Sequence, residues 1–236
     1  KNNLIMSLNF KILTYLPDIY PGPLSSSVVG RALEKNIFSL ETFAFADYAI
    51  NNQVDDTPYG GGSGMVTRAD VVGNAIDDIL TKSSGKTQII YPSPRGNILK
   101  QKKIVEFVKE NNNVLAISGR FEGIDQRILD YYDIFEFSIG DFVLSGGDIP
   151  IMSFIDASVR LLPNVIGDNE SLMEESFTPD SDFENLLEYS HYTRPSKWRD
   201  MDVDDVLLSG NHAKIKEWRL DNAQKLTKTR RPDLLK

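Results

Sequence analysis

The chain has 236 residues, 41% of them hydrophobic, and a net charge of -8 at pH 7, which predicts one larger globular domain with a smaller appendage. It contains no cysteine and only two histidines, which excludes disulfides, cysteine nucleophiles and most zinc sites. Apolar runs are far shorter than the roughly 20 residues that span a bilayer, and the polar N-terminal segment is unlike a signal peptide. We therefore expect a cytoplasmic protein with no membrane partner.

Short β-rich runs alternate with helical patterns through the first two thirds of the chain. The strand patterns cover Phe10–Leu16, Phe38–Phe45, Thr87–Tyr91, Val114–Ser118 and Ile134–Ile139. The helical patterns cover Ser25–Lys35, Ala69–Thr81, Ile98–Glu110 and Gly123–Tyr131. This alternation predicts an α/β fold with a mostly parallel sheet, in which ligands bind at the carboxyl ends of the strands.

Three unusual sequences follow these predicted strands. They are YPSPRG at 91–96, SGRFEGID at 118–125 and IGDFVLSGGD at 139–148. Glycine lets the backbone approach a ligand closely, and Asp148 followed by Pro150 predicts the start of a helix that runs to about Leu162. We expect the three strand ends to form one binding site.

The two common nucleotide-binding motifs are excluded. Gly85-Lys86-Thr87 has the ending of a phosphate-binding P-loop, but a predicted helix precedes it and a strand follows it, which is the reverse of the P-loop order. The earlier glycine of that motif would fall at Leu80. No G-x-G-x-x-G follows the first strand, so a Rossmann dinucleotide site has no support.

Two further segments are candidate ligand contacts. Residues 55–64 place two carboxylates and Tyr59 before four glycines in five positions, which favours close approach to a large or charged ligand over a flexible connection. Residues 188–195 combine two tyrosines, His191 and Arg194 before a proline. That mixture suits stacking on bases and contact with phosphate, although local packing at a domain boundary is an alternative.

The last third of the chain differs in composition and charge. Residues 163–182 are polar and aperiodic, and two helical patterns follow at 202–208 and 211–229. Residues 211–236 hold eight Lys or Arg against three Asp or Glu, a balance of +5, which leaves -13 on residues 1–210. A basic helix on an acidic body suits contact with a polyanion, although a solvated helix face is the competing interpretation.

Seven motifs in order give the chain a specific resemblance that runs from about Met6 to Lys236. They are PGPL at 21–24, DDTPYGGG at 55–62, the three strand-end sequences, HYTRP at 191–195, and KEWR at 216–219 with RRP at 230–232. In this order they resemble the bacterial family of tRNA methyltransferases that act on N1 of guanine at position 37. The resemblance implies a homodimer with a trefoil-knotted SPOUT fold that uses S-adenosylmethionine, releases S-adenosylhomocysteine and binds tRNA. Magnesium is expected from the resemblance alone.

With the resemblance, the chain has three expected parts: a knotted cofactor-binding domain at 1–162, a flexible linker at 163–187 and a helical tRNA-binding domain at 188–236. Because the linker is too polar to fold alone, we expect it to order over the active site when tRNA binds. Within the first part, the resemblance assigns cofactor binding to Tyr91, Ser93, Pro94, Gly96, Gly119, Glu122, Gly123, Ile139, Gly140, Asp141, Phe142, Val143, Leu144, Gly146 and Gly147. Such a backbone-lined pocket can pair the donors and acceptors of adenine, while apolar side chains cover its faces.

The resemblance assigns catalysis to an acid in the linker and an arginine fifteen positions before it. N1 of guanine is a poor nucleophile until it loses its proton, so a carboxylate must accept that proton and a cation must stabilise the charge on the 6-oxo oxygen. These roles fall on Glu175, where the family has Asp, and on Arg160. The nearby acids Glu174, Asp180 and Asp182 are the alternatives to Glu175.

RNA contacts are expected on Asp55, Tyr59, Gly60, His191, Arg194, Lys197 and Arg199. Residues 47–53, where the family is often basic, contain no cation here, so we expect Arg194, Lys197, Arg199 and the basic C-terminal helix to supply most of the phosphate contacts. Two alternatives stay open: a related knotted methyltransferase that acts on another RNA nucleotide, and a non-catalytic RNA-binding module.

Overall fold

The computed structural model describes residues 7–167 and 173–236. The start of the resemblance at Met6 and the part of the predicted linker at 168–172 lie outside the described residues. The chain divides into two compact units, Lys1–Gly167 and Asp168–Lys236. This boundary falls inside the predicted linker, and the three-part division of the chain stays a prediction.

A five-stranded parallel sheet forms the centre of the first unit. Its strands are β1 (Leu8–Thr14), β2 (Phe38–Ala44), β5 (Thr87–Ile98), β6 (Asn113–Ile117) and β7 (Ile134–Ser138), and the short β3 (Asp55–Asp56) and β4 (Val66–Thr67) form a separate antiparallel pair. The order in the sheet is β2-β1-β6-β5-β7, and every neighbouring pair is parallel. The predicted α/β fold with a mostly parallel sheet is confirmed, whereas the knot stays a prediction.

Helices flank the sheet, at positions close to those that the sequence predicts. They are α1 (Ser27–Glu34), α2 (Ala69–Thr81), α3 (Gln101–Glu110), α4 (Gln126–Tyr131) and α5 (Asp148–Val159). In α2, for example, the apolar side chains at 71, 72, 75, 76 and 79 are all buried, which is the 3.6-residue spacing of one helix face.

Two apolar clusters form the core of the first unit. In β6, Val114 and Ala116 belong to one cluster, whereas Leu115 and Ile117 belong to the other. Because successive side chains of a strand point to opposite faces of a sheet, both faces of this central strand are buried. Such burial is typical of a parallel sheet covered by helices on both sides.

One predicted strand boundary is wrong. The pattern ends a strand at Tyr91, but β5 continues to Ile98 and pairs with β7 again at Asn97 and Ile98, after a register shift between Pro92 and Asn97. The residues between these two pairings, Pro94 among them, bulge out of the ladder, whereas Pro92 still lies opposite Phe137. The following helix consequently begins at Gln101 rather than Ile98.

Among its described residues, the second unit includes two α-helices that follow a short hairpin, and a small core. The helices α6 (Asp205–Leu208) and α7 (His212–Arg230) agree with the predicted helical patterns, and β8 (Lys197–Trp198) pairs with β9 (Met201–Asp202). Phe183, Leu186, Tyr189 and Ala223 form the buried core of this unit. Phe183 and Leu186 belong to the predicted linker, so part of that polar segment packs into the second unit.

Candidate active site

A cavity of about 510 Å³ lies where the loops after β6 and β7 meet the bulged part of β5. The structure brings together twelve of the residues expected to bind the cofactor, and they line this cavity: Ser93, Pro94, Gly119, Glu122, Gly123, Ile139, Gly140, Phe142, Val143, Leu144, Gly146 and Gly147. The site lies at the carboxyl end of the sheet, as the predicted parallel topology requires.

Three of the expected cofactor residues do not line the cavity. Tyr91 is buried beneath its wall, with its hydroxyl 2.8 Å from where a β-carbon on Gly119 or Gly123 would lie. Gly96 packs against the backbone of Phe137 in β7. Asp141 is exposed to solvent beside the cavity-lining Gly140 and Phe142. Tyr91 and Gly96 therefore shape the walls from behind.

Backbone contacts fix the two main loops of the cavity against each other. The Gly147 N–H donates to the Gly119 carbonyl at 2.9 Å, and Arg120 forms a β-bridge with Gly146. A β-carbon on Gly147 would lie 3.0 to 3.2 Å from Pro92, the Ser118 backbone and the Gly119 nitrogen. Because two of these neighbours are backbone atoms that cannot rotate away, the close approach favours glycine at this position.

The glycine-rich hairpin between β3 and β4 docks onto the same loop after β6. The Thr67 N–H donates to the Gly123 carbonyl at 2.9 Å, and the Glu122 N–H donates to the Met65 carbonyl at 3.1 Å. A β-carbon on Gly64 would lie 2.5 Å from the Glu122 carboxylate. The segment expected to contact RNA is thus attached to the wall of the cavity.

Asp148 is a buried junction that the sequence did not reveal. It begins α5 as predicted, but its carboxylate does not cap the helix. Asp148 is only 2% exposed, and its carboxylate accepts hydrogen bonds from Thr14 Oγ1 at 2.7 Å, Tyr20 Oη at 3.2 Å and Arg120 Nη2 at 3.3 Å. One side chain therefore connects the end of β1, the following turn and two cavity loops.

Arg120 lines the cavity, although no sequence pattern assigned it a role. Its position inside the SGRFEGID motif was the only available signal. Its Nε is buried and has no hydrogen-bond partner among the residues that the structure describes. A buried donor without a partner is unfavourable unless a ligand or water satisfies it.

The cavity fits a nucleotide-like cofactor on several grounds. Its volume is in the range of about 300 to 1,000 Å³ that small-molecule sites occupy. Arg120 Nε offers an unsatisfied donor, and the apolar residues Phe142, Val143 and Leu144 are 54%, 83% and 41% exposed at the cavity. A ligand with both polar edges and apolar faces would cover these groups.

The expected catalytic residues lie in different units. Arg160 follows the last residue of α5 in the first unit, and Glu175 is half-buried in the second. Among the alternative acids, Glu174 accepts hydrogen bonds from Tyr189 Oη at 2.7 Å and Arg219 Nη1 at 2.8 Å. Asp182 lies 3.6 Å from Lys216 Nζ, and Asp180 is exposed with a φ of 58°.

The residues expected to contact RNA are mostly exposed. Tyr59 is fully exposed at the tip of the glycine-rich hairpin, and Asp55 is half-buried in β3. Gly60, beside Tyr59, has a φ of 90°, and a β-carbon there would meet nothing within 4 Å. In the second unit, His191, Arg194, Lys197 and Arg199 are all exposed. The cations Arg194, Lys197 and Arg199 are therefore accessible to a polyanion.

Two further features concern metals and membranes. Within residues 7–167 and 173–236, no group of three or more His, Asp or Glu side chains is placed to hold a metal ion. In the same residues, every helix is too short or too polar to span a bilayer.

The parallel α/β sheet and the glycine-walled cavity at its strand ends place the chain in the class of α/β proteins that bind a ligand at this edge of the sheet. The family model described as tRNA (Guanine-1)-methyltransferase TrmD matches residues 8–236. The chain therefore belongs to the tRNA (guanine-1)-methyltransferase family, and it is an enzyme.

Curated relatives support this assignment along the whole chain. The tRNA (guanine-N(1)-)-methyltransferase of Ehrlichia canis (strain Jake) is 49% identical, covering 97% of this chain and 96% of the relative. The proteins of the same name from Neorickettsia sennetsu and Rickettsia akari are 48% and 45% identical, each covering 97% of this chain and 98% of the relative.

Proposed function

We propose that the protein transfers the methyl group of S-adenosylmethionine to N1 of guanosine at tRNA position 37, next to the anticodon, and that it acts as a homodimer. The observation that carries the proposal is the cavity, where twelve residues expected from the family motifs converge on one volume suited to the cofactor. Family membership, with relatives named for the same reaction, supports it independently.

The cavity residues bind and orient the cofactor. The backbone groups of the loops at 119–123 and 139–147 pair with its polar edges, and Arg120 Nε offers one further donor. Ile139, Phe142 and Leu144 cover its apolar faces and exclude water. When bound, S-adenosylmethionine supplies an activated methyl group on a sulfonium, and S-adenosylhomocysteine remains after transfer.

Glu175 and Arg160 act on the guanine in this proposal. The Glu175 carboxylate accepts the N1 proton, which leaves an electron pair on N1 for the new bond to carbon. The Arg160 guanidinium stabilises the negative charge that develops on the 6-oxo oxygen. A positioned base of this kind contributes about 100-fold to 10,000-fold to the rate.

Labelled S-adenosylmethionine tests the proposal, with tRNA transcripts that carry guanosine or adenosine at position 37. We expect label in the guanosine transcript alone, at N1 after nuclease digestion. Label in both transcripts, or at another nucleotide, would instead identify a related methyltransferase with a different target. Binding of RNA without any transfer would identify a non-catalytic module.

A further inference from the structure

The C-terminal unit contains a second cavity, of about 350 Å³, that has no role in the proposed transfer. Three pieces of this unit surround it: the extended segment 189–196, residues 203–208, and the first two turns of α7 through Ile215 and Arg219. Its volume is at the lower end of the range of small-molecule sites. It is large enough for one flat ring system with its substituents.

One side of this cavity is apolar and carries an accessible aromatic ring. Val203, Leu207 and Ile215 are half-buried in its wall. Tyr192 is 54% exposed, and its ring meets the ring of Trp218 edge-on, with centroids 6.1 Å apart. Trp218 is fixed in turn, because its Nε1 donates to Asp204 at 2.8 Å. The Tyr192 ring is therefore held by its contact with Trp218 and is still accessible to a ligand.

The two arginines that line the cavity differ in whether an acidic side chain pairs with them. Arg219 lies over the ring of Tyr189 at 4.8 Å and forms an ion pair with Glu174 at 2.8 Å. Arg194 is exposed, and in the described part of the chain it makes no hydrogen bond or ion pair. An uncompensated cation beside an apolar, aromatic cavity matches a ligand that joins a flat ring to an anion, as a nucleotide does.

We propose that this cavity binds one unstacked nucleobase of the tRNA substrate, with Tyr192 as the stacking surface and Arg194 in contact with the adjoining phosphate. This inference rests on the proposed function, because that function makes tRNA the substrate. It adds a base-binding site inside the C-terminal unit, separate from the cavity for the cofactor.

The test measures equilibrium affinity for tRNA transcripts that each lack one base in the anticodon arm. Base stacking on an aromatic side chain changes affinity roughly 5- to 150-fold. We expect one abasic position to weaken binding to the wild-type protein by that factor, and to leave binding to Tyr192→Ala unchanged. Tyr192→Phe should restore the sensitivity to that position, because the stacking ring remains.

Two further variants serve as a second measurement and a control. Arg194→Gln should weaken binding to every transcript and lower the slope of log affinity against log salt by about one. Leu235→Ala changes a similarly exposed apolar residue of the same unit that lies outside the cavity, and it should bind every transcript as the wild type does.

The proposal fails if Tyr192→Ala and base removal act independently at every position. In that case the two changes together weaken binding by the product of their separate factors. It also fails if Tyr192→Ala converts a dimer to a monomer by sedimentation and weakens binding equally to all transcripts, since the cavity would then serve subunit contact. If the wild-type protein methylates guanosine 37 but the effect of base removal never depends on Tyr192, this inference alone is refuted. If the effect of base removal depends on Tyr192 but guanosine 37 is not methylated, the proposed function alone is refuted.

Discussion

Glu174 and Glu175 are adjacent, but the contacts of Glu174 give it a structural task. Its carboxylate accepts hydrogen bonds from Tyr189 and Arg219. Burial and the hydrogen bond to Glu174 raise the pKa of Tyr189 above its ordinary value, so this phenol remains a donor. Glu174 thereby ties its segment to α7.

Replacing Glu175 by Gln should lower kcat by about 100-fold or more, because the amide cannot accept the N1 proton. The dissociation constant of S-adenosylmethionine, measured by calorimetry, should change less than about twofold. The matched control is Glu174→Gln, which should lower thermal stability and have a smaller effect on kcat. A Glu175→Gln protein with wild-type turnover would remove this residue from the mechanism.

Tyr20 should make stability depend on alkaline pH. Burial and the negative charge of Asp148 raise the pKa of Tyr20 above its ordinary value of 10.0. The stability that follows is complete below about pH 10 and is lost as pH rises above it, because the unfolded chain ionises first. Tyr20→Phe should therefore lower the free energy of unfolding by about 1 kcal/mol at pH 7 and flatten its decrease above pH 10.

Urea unfolding at several pH values between 7 and 11 measures this effect. Tyr131→Phe is the matched control, since Tyr131 is 82% exposed and makes no contact with Asp148. Equal slopes for the wild type and Tyr20→Phe above pH 10 would contradict the prediction.

At the scale of elements, the second pairing of β5 with β7 depends on one close approach. A β-carbon on Gly96 would lie 2.5 Å from the N, Cα and C atoms of Phe137, which is fully buried. Since neither backbone can move without disturbing the sheet, only glycine fits between these strands. The approach also places the start of the loop at 139–147 beside the bulge of β5.

Gly96→Ala should destabilise the protein by about 2 to 3 kcal/mol, as overpacking in a core does. It should also weaken binding of S-adenosylmethionine, because the loop that follows β7 lines the cavity. Urea unfolding and titration calorimetry measure the two effects. Gly167→Ala is the control: a β-carbon there meets nothing within 4 Å, so wild-type stability is expected. Equal stability of the two variants would disprove the packing argument.

The sequence predicted the elements that have a local signal. Apolar periodicity was sufficient for α2, and runs of β-branched and aromatic residues were sufficient for β1 and β6. It could not predict that β5 continues past its prolines, because the pairing partner lies some forty residues later, in β7. The Asp148 junction was missed for the same reason, since Thr14 and Asp148 are 134 positions apart.

The residues of the candidate site also differ in whether the sequence could identify them. The cofactor residues came from the family resemblance, and the structure shows which of them line the cavity and which, like Tyr91, support it from behind. Arg120 was overlooked because its role depends on a buried Nε without a partner, which no sequence pattern reports.

At the scale of the whole molecule, charge is divided along the chain. Residues 211–236 carry +5, whereas residues 1–210 carry -13. Lys228 and Arg230 are exposed in the last turn of α7. Such cations attract a polyanion even when the protein as a whole is acidic.

Replacing Lys228 by Gln should weaken tRNA binding equally for all sequences and lower the slope of log affinity against log salt by about one. Filter binding between roughly 50 and 200 mM salt measures both quantities. Lys35→Gln is the control, because Lys35 is exposed in the acidic first unit. An unchanged slope for Lys228→Gln would show that α7 contacts no phosphate.

The wall of the larger cavity is drawn entirely from residues 66–150. Translation therefore completes the residues of this cavity before it reaches those of the second unit. Domains generally fold in the order in which they emerge, so the first unit, with this cavity, can fold before the second unit is complete. Inherited changes near the carboxyl terminus can therefore alter the second unit while every residue of the cavity wall stays the same.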